Sequence, residues 1–219
     1  MTADTSQEPP RFDAAFRAQF ADLLRWRRDV RRFRTDPLPE PLIEKLLALA
    51  SLAPSVGLSQ PWRFVLVETP ARRAAITANF AKANEAALNF YAGERQARYA
   101  RLKLEGLRQA PVHLAVCADE TTGQGHGLGR QTMPETLRYS VVAAIQTLWL
   151  AARAEGLGVG WVSILDPEAA CATLDLPQDW TFVAYLCLGW PEEEHEDPEL
   201  ERLGWEERRC APSATPLRR

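Results

Sequence analysis

The chain has 219 residues, 46% of them hydrophobic and 25% charged, with a formal net charge of −3. Seven Trp, eight Phe and four Tyr carry more apolar surface than a disordered chain can leave solvated. The longest apolar run, Phe182 to Leu188, falls far short of the roughly 18 residues of a membrane helix. The opening residues have neither a basic start nor an apolar run, so residues 1–12 are expected to be a flexible lead-in without a secretory leader. A single domain is expected over 13–210, with a polar tail at 211–219.

In chain order, Phe16, Phe20, Leu23 and Leu24 have the spacing of an amphipathic helix over 13–28. A second helix is predicted from Pro41 to Leu52, ending before Pro54, and a strand from Trp62 to Glu68. Residues 70–109 predict two helices broken at Gly93, and Pro111 to Ala118 a second strand. Thr132 and Glu135 have capping-box spacing and would open a helix running to Glu155. Between Leu137 and Ala154, 13 of 18 residues are apolar, so this helix must be covered on nearly every side, some of it by a second subunit. Two further strands, Val159 to Leu165 and Trp180 to Leu188, complete an α+β pattern.

Cys117, Cys171, Cys187 and Cys210 form no CxxC pair, and His113, His126 and His195 are the only histidines. No metal site is expected; free thiols suggest a reducing, cytoplasmic compartment. Three segments remain that could carry chemistry.

The first is Arg25 to Arg34, with six Arg in ten residues. On a helix, Arg27 and Arg31 share one face and Arg28 and Arg32 the next, a double fork suited to a phosphate. A solvated basic face is the plainer reading, and nucleic acid a third, weakened by the acidic balance and the lack of a stacking array. Asp29 is the misfit, a carboxylate where an anion is to be gripped. Its neighbouring cations are expected to lower its pKa. A general base and an ordinary intrahelical ion pair are both open. The second segment is Ala53 to Phe64 (APSVGLSQPWRF), a turn-rich loop between a helix and a strand. The third is Gly158 to Leu165 (GVGWVSIL), an apolar strand with one hydroxyl, Ser163. The glycines at 123, 125, 127 and 129 lack dinucleotide spacing, and the acidic stretch Glu192 to Glu201 is expected to be a solvated tail.

Together these segments resemble the FMN-dependent nitroreductase family over about residues 20–190, in which an R-x-S-x-R-x-F-like stretch grips the flavin phosphate and an APSxxNxQPWRF-like stretch lies along the flavin. The stretches Arg27–Phe33 (RRDVRRF), Arg101–Gly106 (RLKLEG), Gly160–Leu165 and Pro198–Trp205 (PELERLGW) are similar to one branch, the 5,6-dimethylbenzimidazole synthases. Asp29 stands where most members have Ser, and Leu58 where many have Asn. The resemblance implies a homodimer with a central, mostly antiparallel sheet flanked by helices. It also implies oxygen-dependent fragmentation of reduced FMN to 5,6-dimethylbenzimidazole and erythrose 4-phosphate, supplying the lower ligand of cobalamin. FMN is then substrate as well as cofactor and O2 the co-substrate, with no metal, nucleic acid or membrane, and a separate reductase supplies reduced FMN. By the same resemblance Asp29 and Ser163 are catalytic. Arg27, Arg28, Val30 and Arg31 hold the flavin, joined by Ser55 and Gly57 from the loop, Leu104 from a lid, Leu165 beside Ser163, and Arg209. Alternatives are a conventional NAD(P)H-dependent nitroreductase or flavin reductase, and a module that binds FMN unchanged.

Overall fold

A computed structural model describes residues 8–209 and 216. Cys210, most of the expected tail and the first seven residues of the lead-in lie outside the described residues. Eleven elements follow in order: α1 (Ala14–Trp26), α2 (Leu42–Ala50), β1 (Trp62–Leu66), α3 (Pro70–Phe90), α4 (Gly93–Tyr99), β2 (Val112–Asp119), α5 (Thr136–Ala154), β3 (Gly158–Val162), α6 (Pro167–Leu174), β4 (Trp180–Gly189) and α7 (Glu199–Arg202). The strands form one antiparallel sheet in the order β1-β2-β4-β3, in line with the expected architecture.

The sheet has a core on each face. Side chains alternate along a strand, so Leu114, Val116 and Ala118 of β2, with Ala184, Leu186 and Leu188 of β4, face α2 and α5. Ala115 of β2 and Tyr185 and Cys187 of β4 face the opposite layer, where Ile76 and Phe80 of α3 meet Ala170 and Leu174 of α6. Covering both faces explains why the two middle strands read as continuous apolar runs. Helix α5 is central as expected, burying Leu137, Val141, Ala144, Ile145, Leu148 and Ala152.

Several local expectations are corrected. Helix α5 starts at Thr136, with Glu135 as its N-cap making no side-chain hydrogen bond, so the capping box does not form. Instead the Thr136 N–H and hydroxyl both donate to the Met133 carbonyl, closing a turn around Pro134. Helix α4 stops at Tyr99, and residues 102–106 run without helix onto the sheet. The strand expected over 159–165 ends at Val162, leaving Ser163 exposed just beyond it.

The largest correction concerns the arginines. Helix α1 ends at Trp26, and residues 27–33 are extended. Asp29 makes a parallel bridge to Val159 on the outer edge of β3, and the Val30 N–H donates to the Val159 carbonyl at 3.0 Å. Two glycines allow this approach. A Cβ at Gly158 would lie 2.8 Å from Val30 Cγ2, and one at Gly160 only 2.1 Å from the Val30 carbonyl oxygen. The far end is held by Phe33, fully buried, and by Arg34 N–H donating to the Trp190 carbonyl at 2.8 Å. Pairing with an open strand edge outweighs the helical preference of the Arg run, so the double helical fork does not exist.

On the α3 side of the sheet, His113 is buried with Nδ1 3.0 Å from Tyr185 Oη. Burial, reinforced by the nearby Arg73 charge, lowers its pKa to about 4. Among the cysteines, burial pushes the Cys117 thiol up to about 12, as for an inert core residue.

Two predictions follow from these packing relations. Gly160→Ala sets a Cβ against backbone that cannot yield, and should lower stability by about 1–3 kcal/mol in thermal unfolding. Gly123→Ala, whose Cβ meets nothing and whose φ is −78°, should leave it unchanged. For His113, the unfolded chain takes up a proton near 6.5 and the folded chain only near 4. Stability present at neutral pH is therefore lost as pH falls through that window, by roughly 3 kcal/mol at its lower end. Urea titrations across the window should show this loss in the parent and a smaller one in His113→Gln.

Candidate active site

Extended backbone puts residues i and i+2 on one side, and this brings Asp29 and Arg31 together. Arg31 Nε donates to Asp29 Oδ2 at 2.8 Å, and Arg31 Nη1 to the Lys103 carbonyl at 3.0 Å. The other carboxylate oxygen, Oδ1, accepts the Trp161 N–H at 2.8 Å, taking a backbone donor of β3 that the short bridge leaves over. The pair is an ion pair between strand neighbours, and no helix is involved.

Asp29 is half-buried, with 31% of its side-chain surface left toward the cavities it lines. Its pKa is raised, against the expectation that its cations would lower it. Burial is the largest cause; the Arg31 charge and the hydrogen bonds from Trp161 and Arg31 oppose it without overcoming it. The other arginines are engaged elsewhere. The Arg27 guanidinium lies over the Trp149 ring at 5.1 Å, Arg28 Nε donates to the Glu196 carbonyl at 2.6 Å, and Arg32 Nη1 donates to Glu199 Oε1 at 2.6 Å. Helix α5 braces the segment, because Trp149 Nε1 donates to the Arg28 carbonyl at 3.2 Å.

The acidic stretch is therefore no solvated tail. Glu193 and Glu199 pair with Arg32, Glu194 with Arg153, and Glu196 with Arg25. The composition is acidic because its complement is the arginine segment. A cavity of about 160 Å³ remains between them, lined by Arg27, Arg28, Asp29, Arg31, Pro198, Glu199, Leu200 and Arg208. Four arginines against two carboxylates leave two uncompensated positive charges in its wall, which fits a phosphate monoester dianion.

The other expected site residues fall into two groups. Val30, Leu104 and Leu165 pack against one cluster that includes Phe33 and Tyr185, next to the cavity segment. Ser163 lies two residues past Trp161, roughly 7 Å of extended chain from the N–H that Asp29 accepts. Ser55 and Gly57 belong elsewhere. The Ser55 hydroxyl accepts from the Gln60 N–H, and the Val56 N–H donates to Ser140 Oγ near the start of α5. Ser140 is nine residues from Trp149, about 13.5 Å along the helix. Gly57 and Leu58 both have φ of +57°, and a Cβ at Gly57 would lie 2.8 Å from the Leu128 carbonyl oxygen. The glycine loop at 123–129 thus supports the 55–60 loop.

Arg209 is exposed, while its neighbour Arg208 lines the cavity. Sequence reasoning gave no role to Arg208, Trp149, the Trp161 N–H or Glu199. Of these Glu199 and Trp161 had a signal, lying in the Pro198–Trp205 and Gly160–Leu165 stretches.

The match to the nitroreductase family model spans residues 24–190. The 5,6-dimethylbenzimidazole synthase of Rhodospirillum rubrum is 64% identical over 203 residues, covering 93% of this chain and 96% of that protein. That of Rhodobacter capsulatus is 52% identical, covering 90% and 95%. An iodotyrosine deiodinase crystal structure with FMN and 3-iodo-L-tyrosine superposes with a TM-score of 0.68 at 24% identity, over 80% of this chain and 91% of that one. The chain belongs to the nitroreductase family, on its 5,6-dimethylbenzimidazole synthase branch.

Proposed function

We propose that this chain is an oxygen-dependent 5,6-dimethylbenzimidazole synthase that consumes reduced FMN and so supplies the lower ligand of cobalamin. The observation that carries the reading is a carboxylate, Asp29, half-buried among arginines in a cavity whose wall keeps two positive charges. A site that only gripped a coenzyme phosphate would gain affinity by losing that carboxylate. FMN suits the cavity through its phosphate, and in its reduced form supplies both the electrons passed to O2 and the carbon skeleton of the product. Arg27, Arg28 and Arg31 bind the phosphate end, with Arg208 or Arg209 closing it, and this remote binding energy fixes the reacting geometry.

Asp29 is the general base toward the ribityl chain, and its raised pKa makes it a stronger proton acceptor than an ordinary aspartate. Ser163, exposed at the end of β3, is assigned to the flavin edge, with Val30, Leu104 and Leu165 excluding water. Reduced FMN comes from a separate reductase, in the cytoplasm; no helix among the described residues is long and apolar enough to cross a membrane.

A homodimer is the working unit in this reading. Helix α1 buries none of its residues and leaves Phe16 and Phe20 each 45% exposed, and α5 exposes Tyr139 and Val142. An isologous pair would cover these faces and let the Ser55–Gly57 loop of one protomer serve the arginine cavity of the other.

Asp29→Asn should retain FMN in fluorescence titrations but lower product formation by about two orders of magnitude or more. In the parent, activity should rise with pH through an acid limb above the usual aspartate value of about 3.9. Parental rates in the variant would end the base assignment. Ser163→Gly should form less dimethylbenzimidazole per O2 consumed, with hydrogen peroxide making up the difference. An unchanged ratio would remove Ser163 from the chemistry. Rapid NAD(P)H oxidation with FMN recovered intact would instead identify a conventional nitroreductase.

A further inference from the structure

Glu199 opens α7, at the other end of the chain from the arginine segment, yet only 10% of its side chain is exposed. Its two oxygens face two different arginines. Oε1 accepts from Arg32 Nη1 at 2.6 Å, and Oε2 lies 3.9 Å from Arg31 Nη1. Arg31 in turn donates through Nε to Asp29 Oδ2 at 2.8 Å. One guanidinium therefore stands between two carboxylates, and the second guanidinium is turned toward the carboxylate that Asp29 does not use. Both carboxylates line the same cavity.

Without Glu199, Arg31 would have Asp29 as its sole carboxylate partner, while Arg32 would keep Glu193 at 3.4 Å. An aspartate with a guanidinium to itself is a poorer proton acceptor, since every stabilising contact to the ionised form lowers its proton affinity. We propose that Glu199 is a positioning residue for Asp29: by sharing Arg31, it keeps the Asp29 carboxylate from a complete ion pair and so keeps it competent to accept a proton. The Glu199 charge is itself one of the influences that raise the Asp29 pKa. The other charged groups around Asp29 are Arg27, Arg28 and Arg208 on the cavity wall and the acidic arm with His195 beyond it. From β4, Cys187 faces the same region, with its own thiol raised chiefly by burial and in small part by the Asp29 charge. These charges are common to the parent and the two Glu199 variants, so differences among those three isolate Glu199.

The inference rests on Asp29 being the base, but it can be tested without turnover. Carbon-13 carboxyl NMR of the full-length protein, without flavin, reports the ionisation of Asp29, assigned by its loss in Asp29→Asn. Glu199→Gln should move the Asp29 titration to lower pH by about one unit, a tenfold loss of proton affinity. Glu199→Asp, which keeps the charge, should restore at least half of the shift. Arg32→Gln, at a partly exposed position, should move the titration the other way, and it decides the matter if Glu199→Gln does not fold. An Asp29 titration that is unmoved, or moves with the opposite sign, overturns the proposal. If the titrations shift as expected but Asp29→Asn makes product at the parental rate, Glu199 acts as inferred and it is the base assignment that falls.

Discussion

The site depends on one backbone approach, the seating of residues 29–30 against the outer edge of β3. Two glycines make it possible, because a side chain at either Gly158 or Gly160 would collide with Val30. The approach converts an arginine-rich segment from a helix into an extended chain, and the change of period decides which side chains meet. In a helix Asp29 would neighbour residues three and four away; in the extended segment it meets Arg31, two away, and the Trp161 N–H across the strand edge. The same pairing covers the exposed edge of the sheet with charge on its outer side, a usual way of blocking further strand addition.

Electrostatics around this segment is a contest between burial and pairing. Arg28 has its pKa lowered, first by burial and then by Arg208 and Arg27, whereas Arg32, hydrogen-bonded to Glu199, has its pKa raised. The acidic arm thus neutralises the outer arginines selectively and leaves the cavity-facing ones in excess. Asp29 sits where these effects meet. Its partner Arg31 is close, but the protein around it is dense enough that desolvation wins. The result is a carboxylate inside an arginine-walled cavity that still retains appetite for a proton, which a phosphate grip alone would not require.

Much of this was legible in the sequence. Apolar period and Pro/Gly punctuation located the four strands, α2 and the central helix, because both faces of the sheet are covered and the pattern is strong. The arginine segment was not legible from period, and Trp26, Val30 and Phe33 explain why: their i, i+4, i+7 spacing imitates a helix. Val30 and Phe33 are spaced by their docking on β3 and in the core, a tertiary fact. The acidic arm was misread for a related reason, since most of its counter-charges lie more than 160 residues earlier, as in the Arg32–Glu199 bond, and the other, Arg153, lies 41 residues earlier in α5. Asp29 and Ser163 stood out by residue type, as a carboxylate among cations and a hydroxyl in an apolar run, but it was the family resemblance that made them catalytic candidates.

The loop at 55–60 supplies the last step. Gly57, Leu58 and Gln60 all have positive φ, and for Leu and Gln that conformation is costly. It is held by Gln124, whose amide donates at 2.9 Å to the Leu58 carbonyl, and by Gly125, where a Cβ would lie 2.5 Å from the Gly57 carbonyl oxygen. Strain maintained by a dedicated support is characteristic of functional segments, yet the loop is anchored at the far end of α5 from the arginine cavity. The strained polar loop and the arginine-walled cavity therefore lie apart on the single chain, an arrangement that the homodimer we propose would bring together. In that proposed homodimer, the exposed Phe16 and Phe20 of α1 and Tyr139 and Val142 of α5 would be covered by the same association that completes the flavin site.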